Sequence, residues 1–113
     1  MGEHSELIHV LTNNKNMKIY SINLSEDGLY TNVYTNIKAM YNDIAKLGYT
    51  PLSVTLIEET SPIYTFKDIA YNYANLTKVL RQSGKNGTRY EHTTINCDYD
   101  CAIHIEEHQI VSK

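Results

Sequence analysis

Arginine is nearly missing from this chain: of ten basic residues only Arg81 and Arg89 are arginines, and 13 acidic residues leave a net charge of −3. A broad cationic face that holds nucleic acid by bulk charge is therefore disfavoured. Long hydrophobic runs are missing too. No stretch approaches the roughly 18 consecutive apolar residues of a membrane-spanning helix, so no membrane partner is expected. The opening Met1-Gly2-Glu3-His4-Ser5-Glu6 is acidic where a signal peptide is basic, and Glu6 occupies the position where a myristoylation motif takes Ser or Thr. The expectation is a cytoplasmic protein. Its two cysteines, Cys97 and Cys101, are then expected as reduced thiols.

What is present is enough for a core. Hydrophobic residues make up 42% of the 113, and Ile, Leu, Val and Phe alone about 24%, above the range of disordered chains. The length fits a single domain over residues 1–113. Tryptophan is absent and phenylalanine occurs once, but there are ten tyrosines. Tyrosine is the aromatic that can leave a core and still bind, so Tyr30, Tyr34, Tyr41 and Tyr90 are candidates for an interaction surface. Lysine exceeds arginine, and Asn, Ile and Tyr are abundant, as A/T-rich codons produce. That points to a low-GC bacterium or its phage.

The periodicities predict an order of β-β-α-β-α-β-β. Residues 7–11 and 17–24 read as a first hairpin around Asn13-Asn14-Lys15-Asn16, with Ile19 and Ser21 on one face and Tyr20 and Ile22 on the other. Leu29, Val33, Ile37, Met40, Ile44 and Leu47 form a helical stripe starting at Ser25 or near Thr31, and Gly48 sits at its C′ position. Pro51 is followed by an alternating strand over 52–58. Thr65 to Asp68 matches a capping box opening a second helix over 66–82, whose face is Phe66, Ile69, Tyr73, Leu76 and Leu80. Residues 88–95 and 101–111 read as a terminal hairpin with Asp98-Tyr99-Asp100 as its loop, pairing His92 with Glu106 and Thr93 with Ile105. The fold expected is an α+β two-layer sandwich: about five mostly antiparallel strands with two helices on one face.

The densest chemistry lies in that last hairpin. His92, His104 and His108 are candidate metal ligands, yet the Cys97-Cys101-His104-His108 spacing is not that of a zinc finger. His104-Ile105-Glu106-Glu107-His108 matches the His-x-x-Glu-His pattern of inverted zinc proteases, which need a helix there and a further ligand. On a strand the two histidines stand about 13 Å apart. Acidic neighbours raise rather than lower the thiol pKa of Cys97 and Cys101, and no phosphate loop or serine elbow occurs. No cofactor and no enzymatic activity are expected. Lys78, Arg81, Lys85 and Arg89 gather charge at the end of the second helix, a modest candidate for nucleic-acid contact that also complements the helix dipole. The best-fitting reading is a small binding or inhibitory module working through protein contacts, with a partner or with itself through the open sheet face. An inhibitor of a host defence system, encoded by a phage or mobile element, is one example.

Overall fold

The computed structural model describes residues 5–13, 17–23, 32–48, 59–66, 71–83, 88–95 and 104–112. Its elements, in chain order, are α1 (Ser5–Asn13), β1 (Lys18–Asn23), β2 (Asn32–Tyr34), α2 (Ile37–Lys46), α3 (Tyr73–Ser83), β3 (Thr88–Thr94) and β4 (His104–Ser112). The strands form one antiparallel sheet in the order β2-β1-β4-β3. The α+β class is as expected, with four strands among the described residues rather than about five. Tyr64 to Phe66 adds a short backbone flank to β2, through a bridge between Tyr34 and Thr65 and a bond from the Phe66 amide to the Val33 carbonyl at 2.9 Å.

Residues 7–11 are helical, not extended. Leu7, Val10 and Leu11 are the buried residues of α1 and His9 is exposed, the i, i+3, i+4 spacing of a helix face. A mostly apolar run this short fits either period, and packing decides it. The first expected hairpin is thereby replaced: β1 pairs with β2 and β4 instead. β1 itself follows its alternation, and because Ile19, Tyr20, Ser21 and Ile22 are all buried it behaves as a strand covered on both faces.

The first expected helix is shorter. Asn36 caps α2, its Oδ1 accepting from the Ala39 amide at 2.9 Å, and Asn32–Tyr34 upstream is strand β2. Gly48 ends the helix as expected, with φ of 95°, its amide donating to the Ala45 carbonyl at 3.0 Å. α3 also starts later than the capping box implies. Asn72 Oδ1 accepts from the Asn75 amide at 2.7 Å, while Thr65 lies beside β2 and Phe66 is buried outside any helix. Asp68 and Ile69, and the strand expected over 52–58, lie outside the described residues.

The register splits the core in two. One face of the sheet presents Ile19 and Val33, packed under Leu7, Val10 and Leu11 of α1 and Leu76, Val79 and Leu80 of α3, with Tyr90 and Ile110 at the margin. The other presents Tyr20, Ile22, Tyr34 and Ile105, packed under Met40 and Ile44 of α2. Helices therefore pack on both faces, α2 on β1 and β2 only among the described strands, which corrects the arrangement with helices on one side. The reason is the alternation in β1 and β2: apolar residues at consecutive positions leave two faces to bury.

Candidate functional site

Beyond the apolar patch under α1 and α3, the same sheet face turns polar. Ser21 on β1, Glu106 and His108 on β4, and Tyr90 and His92 on β3 share it, because β1 and β4 place Ser21 opposite Glu106, and β3 and β4 place His92 opposite His108. The hairpin register is offset from the expected one, with Thr94 rather than His92 opposite Glu106. An offset of two residues keeps every side chain on its own face, so the polar-apolar pattern fits both registers equally. Ile95 donates its amide to the Ile105 carbonyl at 2.9 Å and fixes the one that forms.

His108 is the centre of the site. Its side chain is 0% exposed, its Nε2 lies 2.8 Å from Ser21 Oγ, and its Nδ1 lies 2.5 Å from the Tyr90 hydroxyl. A neutral imidazole has one donor and one acceptor nitrogen, and a hydroxyl can serve either role, so both nitrogens are satisfied without charge. Burial pushes the His108 pKa down to about 4; the Glu106 carboxylate partly opposes this and His92 adds to it. The rings of Tyr90, His92 and His108 stack on one another, with centroids 5.6 to 6.2 Å apart. The Arg81 guanidinium of α3 stands 5.9 Å over the Tyr90 ring.

Glu106 is the second hub. Its Oε1 lies 3.3 Å from His92 Nδ1 and 3.8 Å from His104 Nε2, and its Oε2 lies 3.9 Å from His108 Nε2. The three candidate metal ligands thus converge on one carboxylate. Both ring nitrogens of His108 are already occupied by hydroxyls, however, and among the described residues no group of three or more His, Cys, Asp or Glu is arranged to hold a metal ion. Cys97 and Cys101 lie outside the described residues. The zinc-protease match fails on geometry: residues 104–112 are a strand, and Glu107, the motif's glutamate, faces the other side of the sheet, where it pairs with Lys18 at 3.4 Å.

Ser21 and His108 have the separation of a nucleophile and its base. Two properties argue against acyl transfer there. Ser21 is 5% exposed and His108 is buried outright, so a substrate carbonyl cannot approach, and a base with pKa near 4 is a weak proton acceptor at neutral pH.

The remaining candidates are dispersed. Tyr34 is wholly buried in the α2 core, which corrects its assignment to an interaction surface; burial first, and Asp43 second, hold its hydroxyl protonated well above the ordinary range. Tyr41 is half-buried against the same core, Tyr90 is half-buried on His108, and Tyr30 lies outside the described residues. Lys78 and Arg81 are exposed on α3, Lys85 lies outside the described residues, and Arg89 pairs with Glu91 at 2.7 Å. Alternation along β3 puts Arg89 on the sheet face opposite Tyr90 and Arg81, so the two arginines do not form one patch.

Glu106 shares the hairpin face of the histidines, as the sequence predicts, and Ser21 is the participant the sequence does not assign to the site. The signal for Ser21 was a lone polar residue within the apolar strand Ile19 to Ile22. No family model, curated protein or solved structure matches the chain.

Proposed function

We propose that the protein is a non-enzymatic module that binds, and by binding inhibits, a protein partner through the segment 59–66. One observation carries this reading. Ile63 is 69% exposed and Tyr64 38% exposed, on a backbone clamped to the residues before α2. Asn36 Nδ2 donates to the Ser61 carbonyl at 2.8 Å, Thr35 Oγ1 donates to the Pro62 carbonyl at 2.7 Å, and the Tyr64 amide donates to Thr35 Oγ1 at 2.8 Å. The Thr35 amide donates in turn to the Tyr64 carbonyl at 3.0 Å, and Glu59 accepts from the Ser61 amide at 2.9 Å; the Ser61 side chain first, and this amide second, lower the Glu59 pKa.

A large aliphatic and an aromatic held out to water on a fixed backbone are an anchor whose ordering cost is met before binding. This location is preferred to an open sheet face, since helices pack on both sides of the sheet at β1 and β2. The setting proposed is the cytoplasm of a bacterial host, as the A/T-rich residue usage suggests, with a phage or mobile element as the source.

The test is affinity capture from such a host with the wild-type chain and with Ile63→Asp/Tyr64→Ala, after thermal melts establish that both fold. A partner retained by the wild type and lost with the variant supports the reading. Equal capture by both, or no partner at all, overturns it.

A further inference from the structure

We propose that His108 is a proton-sensitive latch that holds β3 on the sheet and releases it in acid. His108 on β4 bonds to both neighbouring strands, through Ser21 on β1 and Tyr90 on β3. β3 has only β4 as its strand neighbour among the described residues, and most of its side chains are exposed. Tyr90, half-buried, is its inward anchor, and its hydroxyl sits on the His108 ring.

Protonation does not by itself break these bonds, because both hydroxyls can turn to accept from an imidazolium. The cost is a charge in a dry site. Water can reach that charge most cheaply by lifting β3. β1 is the harder strand to move, lying between β2 and β4 and buried under helices on both faces.

The surrounding groups set the strength of the latch. Glu106 on β4 favours the charged ring at 3.9 Å, and His92 on β3 opposes it. His104 lies beyond Glu106, Arg81 of α3 stands over Tyr90, and α1, which packs on α3, carries the exposed Glu6 and His9. With burial outweighing Glu106, the closed form protonates at about pH 4. A released ring titrates near its ordinary value of about 6.5. Between pH 7 and 4.5 the open population should therefore rise about fiftyfold.

Amide hydrogen exchange, corrected for intrinsic rates, reads this directly. The Ile95 to Ile105 bond sets the alternation, so the amides of Glu91 and Thr93 point at β4. Their protection should fall about fiftyfold from pH 7 to 4.5 and stay well below that of β1 throughout, because β3 lifts without global unfolding, and His108→Gln should abolish the fall. Equal protection of β1 and β3 at each pH, or the same loss in His108→Gln, overturns the latch. If His108→Gln does not fold, the ring nitrogen shifts of His108 in the wild type decide. Neutrality down to about pH 5, with β3 signals moving at the ring's own midpoint, supports the latch. A ring titrating near 6.5, or β3 moving at another midpoint, rejects it.

Discussion

At the scale of single residues, the chemistry of this protein turns inward. Ser21, Tyr90 and His108 come from three strands and complete one another's hydrogen bonds, so removing either hydroxyl leaves a buried ring nitrogen without a partner. Ser21→Ala and Tyr90→Phe should each cost about 1–3 kcal/mol in denaturant melts. The double variant should cost measurably less or more than the sum, because both changes act on one imidazole. Acid adds a second residue-scale effect. The folded pKa of His108 lies below its unfolded value, so the unfolded chain takes up the proton first. This contribution is complete above about pH 6.5 and declines as pH falls toward 4, reaching about 3 kcal/mol lost below that. Urea melts across this range should show the loss in the wild type and a smaller pH slope in His108→Gln. Equal slopes would contradict the assignment.

At the scale of elements, the caps rank the helices. Asn36 is 2% exposed, caps α2 and also donates to the Ser61 carbonyl, whereas exposed Asn72 caps α3 alone. Asn36→Ala should cost about 2–3 kcal/mol and Asn72→Ala about 0.5–1 kcal/mol, measured as urea midpoints. Gly48, the buried Met40 and Ile44, and the two faces of β1 were legible in the sequence because local periodicity alone determines them. Elsewhere local pattern was insufficient. Val33 fell in step with Met40 and Ile44 by coincidence and belongs to β2, and the apolar residues of α1 fit a strand until their packing is known. The histidines were legible as one face of a hairpin, since parity survives a slip of two. The burial of His108 was not. It depends on β1 lying beside β4, which brings in Ser21 from 87 residues away.

At the scale of the whole molecule, one sheet separates two apolar cores, and each holds a different set of helices. Both share β1, so the molecule should unfold in a single transition. Ile44→Ala, on the α2 side, and Leu80→Ala, on the α1 and α3 side, should each cost about 2–5 kcal/mol, and the pair should be close to additive. Two transitions in a calorimetric scan would show instead that the faces melt separately.

The same division governs charge. Arg81 stands over Tyr90 on one side of the sheet, and Arg89 is paired with Glu91 on the other, while the chain as a whole carries −3. Counterion release needs several cations presented together to one backbone, and this arrangement does not assemble them among the described residues. Binding to duplex DNA should accordingly be weak at low salt and absent at about 150 mM, as read by fluorescence anisotropy on a random duplex. A tight, salt-resistant complex would mean that Lys78 and Arg81 make contacts which the net charge alone would not foretell, and Lys78→Ala/Arg81→Ala would then have to abolish it.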